Sequence, residues 1–168
     1  MISTLNELKR RSIALGLCGR YKGAWDECSS PQDLCDLATD INGLAFLCDA
    51  CSFGWGGTFN ADYIADRFAD FINGRYTRNK DGYTTALYCK DEGVVYARTT
   101  ALCLIDCTST VIVPHDSMVE ILVGGNSDIT VMNLGKITKL AIYGNATVNG
   151  RHRAESTERI TESIWKRA

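Results

Sequence analysis

ALCLIDCTSTVIVPHDSMVEILVGGNSDITVMNLGKITKLAIYGNATVNG, residues 101–150, is the stretch whose reading decides the fold. Aliphatic and β-branched residues alternate with polar ones, and the pattern returns after nineteen residues. Leu102, Ile121 and Leu140 align, as do Leu104, Val123 and Ile142, and Thr110, Ile129 and Val148. A polar turn separates the two strands of each unit: Asp106-Cys107-Thr108, then Gly125-Asn126-Ser127, then Gly144-Asn145-Ala146. A period near twenty with two short strands per unit is what a coiled β-solenoid produces, because each rung buries its inward side chains against the next. An antiparallel meander with recurring hairpins is the alternative. The solenoid reading gives about three rungs of nineteen residues within 82–150, and two open ends that something must cover.

Towards the C-terminus, residues 151–168 read as a helix or tail. Thr157 can cap it, and Glu155 with Arg159 and Glu162 with Lys166 are four residues apart, the spacing of favourable helical ion pairs. Its apolar residues are Ile160, Ile164 and Trp165, a narrow stripe suited to lying across a rung or entering a partner.

Towards the N-terminus, residues 1–76 read as the helical half. Leu5, Leu8, Ser12 and Leu15 recur at helical spacing over 4–17, and a second short helix is expected around Tyr21–Glu27. Ser29-Ser30-Pro31-Gln32-Asp33 is a helix start. Leu37, Ile41, Leu44, Cys48 and Cys51 then form one seam. Gly54-Trp55-Gly56-Gly57 breaks that helix, and another is expected from Asn60 or Asp62 to Ile72, stopped by Asn73-Gly74. The fold class expected is therefore α+β in a single domain: a helical subdomain packed on a short C-terminal β-solenoid, with a C-terminal helix.

The segments Leu44-Ala45-Phe46-Leu47-Cys48 to Gly54-Trp55-Gly56, Phe68-Ala69-Asp70-Phe71-Ile72-Asn73-Gly74-Arg75-Tyr76 and the rungs resemble a group of small bacterial proteins met in phage and mobile-element settings. The resemblance runs to about residue 150. It implies an accessory protein acting on host components and supplies no catalytic residues.

Composition narrows the functional classes. At 168 residues, 45% hydrophobic and 23% charged, the chain is long enough for one core. Its basic cluster follows the first apolar residues, the reverse of a secretory signal, so a cytoplasmic location in a bacterial host cell is expected, with no membrane partner. A net charge of −2 argues against direct nucleic-acid binding. Eight cysteines in such a setting read as free thiols or metal ligands. Cys48-x-x-Cys51 with Cys28 and Cys35 has the composition of a four-thiolate zinc site. Cys48 and Cys51 lie on the apolar seam, however, so buried small hydrophobes are the preferred reading and no metal or cofactor is expected. The two histidines, His115 and His152, sit in a rung corner and between two arginines, neither placed as a base for a thiol nucleophile, and no enzyme is expected.

Charge is unevenly spread: residues 23–70 carry nine acidic side chains against one basic. Within them Asp62, Asp66 and Asp70 recur every four residues. The first functional expectation is a non-enzymatic protein-binding module, of the kind a phage uses to inhibit a host defence or nucleic-acid enzyme. It would set this acidic face, with Trp165 as an anchor, on a basic protein surface. The second is sequestration of a small anionic ligand such as a nucleotide near Arg75, Arg78 and Arg98, with Lys80, Tyr76 and Tyr83 nearby. The third is a homo-oligomeric structural or assembly role through stacking of solenoid ends.

Overall fold

A computed structural model gives the fold and describes residues 39–54, 60–78 and 81–164, with Glu27, Ser30 and Asp33. The helices expected at 4–17 and 21–27, together with Cys28, Cys35, Lys80 and Trp165, lie outside the described residues. Ser30 and Asp33 exchange reciprocal bonds, Asp33 N–H to Ser30 Oγ at 3.1 Å and Ser30 N–H to Asp33 Oδ2 at 3.2 Å, a capping arrangement at the expected helix start.

The chain from Thr84 onward winds into a parallel β-solenoid of about four turns. Its strands are β1 (Thr77–Arg78), β2 (Thr84–Cys89), β3 (Val94–Tyr96), β4 (Ala101–Ile105), β5 (Thr110–Val113), β6 (Met118–Gly124), β7 (Asp128–Asn133), β8 (Lys136–Tyr143), β9 (Thr147–Arg151) and β10 (Ser156–Ile160). Two sheets result, β1-β2-β4-β6-β8-β10 and β3-β5-β7-β9, parallel throughout except for the antiparallel β1–β2 pair.

The pairing explains why only part of the coil is visible as a repeat. Leu102 lies opposite Ile121 and Ile121 opposite Leu140, each nineteen residues on. The first and last rungs depart from that period: Ala86 lies opposite Leu102 and Leu140 opposite Thr157. Three rungs therefore understate the coil. In the second sheet Thr110 faces Thr130 rather than Ile129, a slip of one residue, while Ile129 does face Val148.

Each rung turns its corner through a left-handed residue, with Lys90, Asp106, Gly125 and Gly144 at φ of 56°, 53°, 64° and 59°. Inside the coil, Leu102, Leu104, Val111, Ile121, Val123, Ile129, Leu140 and their neighbours form a core between the sheets. Cys107 belongs to this core.

The outer face of the six-stranded sheet carries a second core, covered by helices. Helix α1 (Ile41–Phe53) is capped by Asp40, whose carboxylate accepts Gly43 N–H at 2.6 Å, and stops at left-handed Gly54. Leu44 and Cys48 of the expected seam are fully buried, and Ile41 and Cys51 pack beside them. Cys103 of β4 joins this layer. The approach is close at Gly124: a Cβ there would lie 2.3 Å from Cys48 Sγ. Ser52 Oγ accepts Gly125 N–H at 2.8 Å, tying the helix to the rung corner.

Two expectations are corrected. The helix expected from residue 60 to Ile72 is α2 (Ala61–Arg67), followed by a 3₁₀ turn, Ala69–Phe71. Ile64, Phe68 and Ile72 still face inward, so the apolar pattern holds while the backbone changes type. The expected C-terminal helix is instead β10 over 156–160, paired in parallel with β8. Its residues gain a full ladder of bonds from the exposed edge of β8, and Glu155 pairs with Lys136 at 2.8 Å rather than with Arg159. Arg159, exposed on this last strand, donates to the carbonyls of Gly144 and Ala146 at 2.9 and 3.2 Å and so ties β10 to the neighbouring rung corner.

Candidate functional site

The opposite, N-terminal end of the solenoid is hollow, and the inner ladder shows why. Leu140, Ile121 and Leu102 stack inside successive rungs, but in the first rung the same position is Ala86. A methyl group cannot fill what a leucine or isoleucine fills in the rungs below. A cleft of about 460 Å³ results, with Ala86, Leu102 and Tyr88 among its walls.

The segment after α2 arches over this mouth. Asn73 and Gly74 are both left-handed, at φ 53° and 103°. The Asn73 side chain clamps β2, accepting Cys89 N–H at 2.8 Å and donating to Cys89 C=O at 3.1 Å. That clamp fixes where Arg75 and Tyr76 emerge. Next, β1 pairs with β2, and Thr77 Oγ1 lies 2.7 Å from Thr85 Oγ1 and 3.1 Å from Thr39 Oγ1, a hydroxyl chain that anchors Arg78. On the far side Thr84 and Thr100 bond each other's backbone N–H through their hydroxyls, at 3.1 and 3.2 Å. Arg98 leaves the end of β3 with its guanidinium 5.8 Å over the Tyr96 ring.

Arg75, Arg78 and Arg98 thus line one cleft, together with Tyr76, Tyr88 and Tyr96. None of the three guanidiniums makes an ion pair among the described residues. Burial, and then Asp91 and Cys107, raise the Tyr88 hydroxyl above its ordinary value, keeping it a neutral donor. Arg78 also borders a separate hollow of about 340 Å³ that contains Asp40, Tyr83 and Glu120. Tyr83 therefore serves that hollow and not the arginine cleft.

The acidic residues are arranged differently from a free carboxylate face. Asp62 is paired with Lys90, Asp66 lies 3.7 Å from Arg67, and Asp70 sits on the 3₁₀ turn beyond the helix. The described thiols are free, and Cys48, Cys89, Cys103 and Cys107 are buried. Among the described residues no group of three or more His, Cys, Asp or Glu side chains is placed to hold a metal ion. His115 is exposed beyond β5 and His152 follows β9. No helix among the described residues is long and apolar enough to cross a membrane.

Tyr88, Tyr96 and Ala86 were not identifiable as site residues from their neighbours in sequence. The break in the ladder at Ala86 was the available sign, masked because the first rung is shorter than nineteen residues. Compared with known protein families, curated proteins and solved structures, the chain matches none.

Proposed function

We propose that this protein is a non-enzymatic binding module that holds a small phosphorylated anion in the cleft at the N-terminal mouth of its solenoid. The observation that supports it is the convergence of Arg75, Arg78 and Arg98 on one cleft, with no ion pair to any of them among the described residues. A guanidinium matches phosphate oxygens with paired, charge-assisted hydrogen bonds, and three around one hollow have a use that a solvated surface arginine lacks. Arg75 borders only this cleft, whereas Arg78 also borders the hollow holding Asp40 and Glu120 and Arg98 the one holding Asp116.

Thermal unfolding with inorganic pyrophosphate tests the reading. A ligand at about one hundred times its Kd adds about 2.7 kcal/mol, or roughly 5–11 °C in a domain of this size. Stabilisation should vanish in Arg75→Ala/Arg98→Ala and weaken with salt. No stabilisation by any phosphate compound at millimolar concentration would sink the proposal. The alternative, an acidic helical face on a basic protein partner, draws less support because Asp62 and Asp66 are already engaged by Lys90 and Arg67. Unchanged capture of a basic partner by Asp62→Asn/Asp66→Asn/Asp70→Asn would dispose of it.

A further inference from the structure

We infer that the anion is a mononucleotide whose base stacks on the tyrosines of the cleft; this rests on the phosphate-binding reading above and specifies its ligand. A bare phosphate or sugar phosphate has no use for aromatic walls, yet this cleft has three tyrosines beside its three arginines. Tyr76 and Tyr96 are 63% and 56% exposed, open for such large rings. The Tyr96 face already receives a cation, the Arg98 guanidinium 5.8 Å from the ring centroid. Ala86 and Leu102, both nearly fully buried, close the bottom of the cleft.

The other part of a nucleotide also finds its chemistry. Arg98, Thr84 and Thr99 border, besides the tyrosine cleft, an adjoining hollow of about 350 Å³ containing Thr100 and Ser117. A base among the tyrosines therefore places its sugar and phosphate towards Arg98 and these hydroxyls, with one carboxylate, Asp116, on the same hollow. Each hollow is of the size that takes a small ligand. A free nucleotide fits better than a nucleic-acid strand, because the chain is acidic overall, with a pI near 5.7.

The test is calorimetric titration of the full chain with adenosine and guanosine monophosphates, ribose 5-phosphate, inorganic pyrophosphate and a 5′-phosphorylated tetranucleotide. The mononucleotide should bind roughly tenfold more tightly than ribose 5-phosphate, the scale of one stacked base. Tyr76→Ala should cut the mononucleotide margin over ribose 5-phosphate several-fold, whereas Tyr96→Ala, which also releases Arg98, should weaken both ligands; both rings are exposed enough to remove without unfolding the chain. Equal affinity for nucleotide and ribose 5-phosphate would overturn the stacking inference and leave the phosphate cleft standing. Failure of every phosphate compound to bind would remove both. Tighter binding of the tetranucleotide than of either mononucleotide would overturn the assignment to a free nucleotide.

Discussion

Replacing Ala86 with leucine tests fold and site together. In the rungs below, the Ala86 position is occupied by Leu102, Ile121 and Leu140, and the cleft exists because the first rung stops short. Leucine adds three carbons, each worth about 0.8 kcal/mol when fully buried. The cleft is open on one side, so about half of that, roughly 1.2 kcal/mol, is available. Ordering the new side chain costs about 0.5–1 kcal/mol. The net change is therefore within about 1 kcal/mol of zero, and the melting temperature should move by less than about 4 °C. A close-packed alanine site would respond differently, because overpacking costs about 1–3 kcal/mol. Circular dichroism melts give the first number and calorimetry with a mononucleotide gives the second, for which a loss of at least tenfold is expected. A fall of more than about 6 °C would show that the space is already filled. Unaltered binding in a protein of unaltered stability would place the ligand elsewhere.

The same ladder predicts that Ile121→Ala, wholly buried between Leu102 and Leu140, costs about 2–5 kcal/mol in urea unfolding, several times the effect at position 86. Gly124→Ala should cost about 1–3 kcal/mol, since its Cβ would meet Cys48 Sγ at 2.3 Å and Ser52 Oγ at 2.6 Å. Adding Cys48→Ala should return part of that loss, and strict additivity of the two changes would argue against the contact. Alkaline pH should destabilise the fold. Burial pushes the Cys107 thiol up to about 12 and raises Cys51 and Cys89, while Cys103 is raised first by its hydrogen bond with Cys48 and then by burial. An unfolded thiol ionises near 9.0 while the folded one keeps its proton, so this stability is fully present below that pH and is lost as pH rises towards 12. Each such thiol contributes a slope of about 1.4 kcal/mol per pH unit, and a urea midpoint unchanged between pH 8 and 10.5 under reducing conditions would contradict the burial.

Several features of this protein were written in local sequence. The nineteen-residue spacing from Leu102 to Ile121 to Leu140 specified a coil, because alternation tells which side chains face inward and the period tells what stacks on them. The cysteine seam of α1, its stop at Gly54 and the turn at Asn73-Gly74 were equally legible, each depending on residues within one or two helical turns. Arg75, Arg78 and Arg98 were identifiable as candidates from their charge and position.

Tertiary structure decided the rest. Residues 156–160 have charges spaced for a helix, yet the unpaired edge of β8 offers their backbone a complete ladder, and that non-local partner outweighs weak ion pairs. The first rung escaped notice because its offset from the next is shorter than the period. The cleft depended on both of these non-local relations: Ala86 is an unremarkable alanine until register places it atop three large residues, and Tyr96 joins Tyr76 only when the coil closes. Sequence periodicity determines which face a residue takes; only the register between distant strands determines what that face is missing.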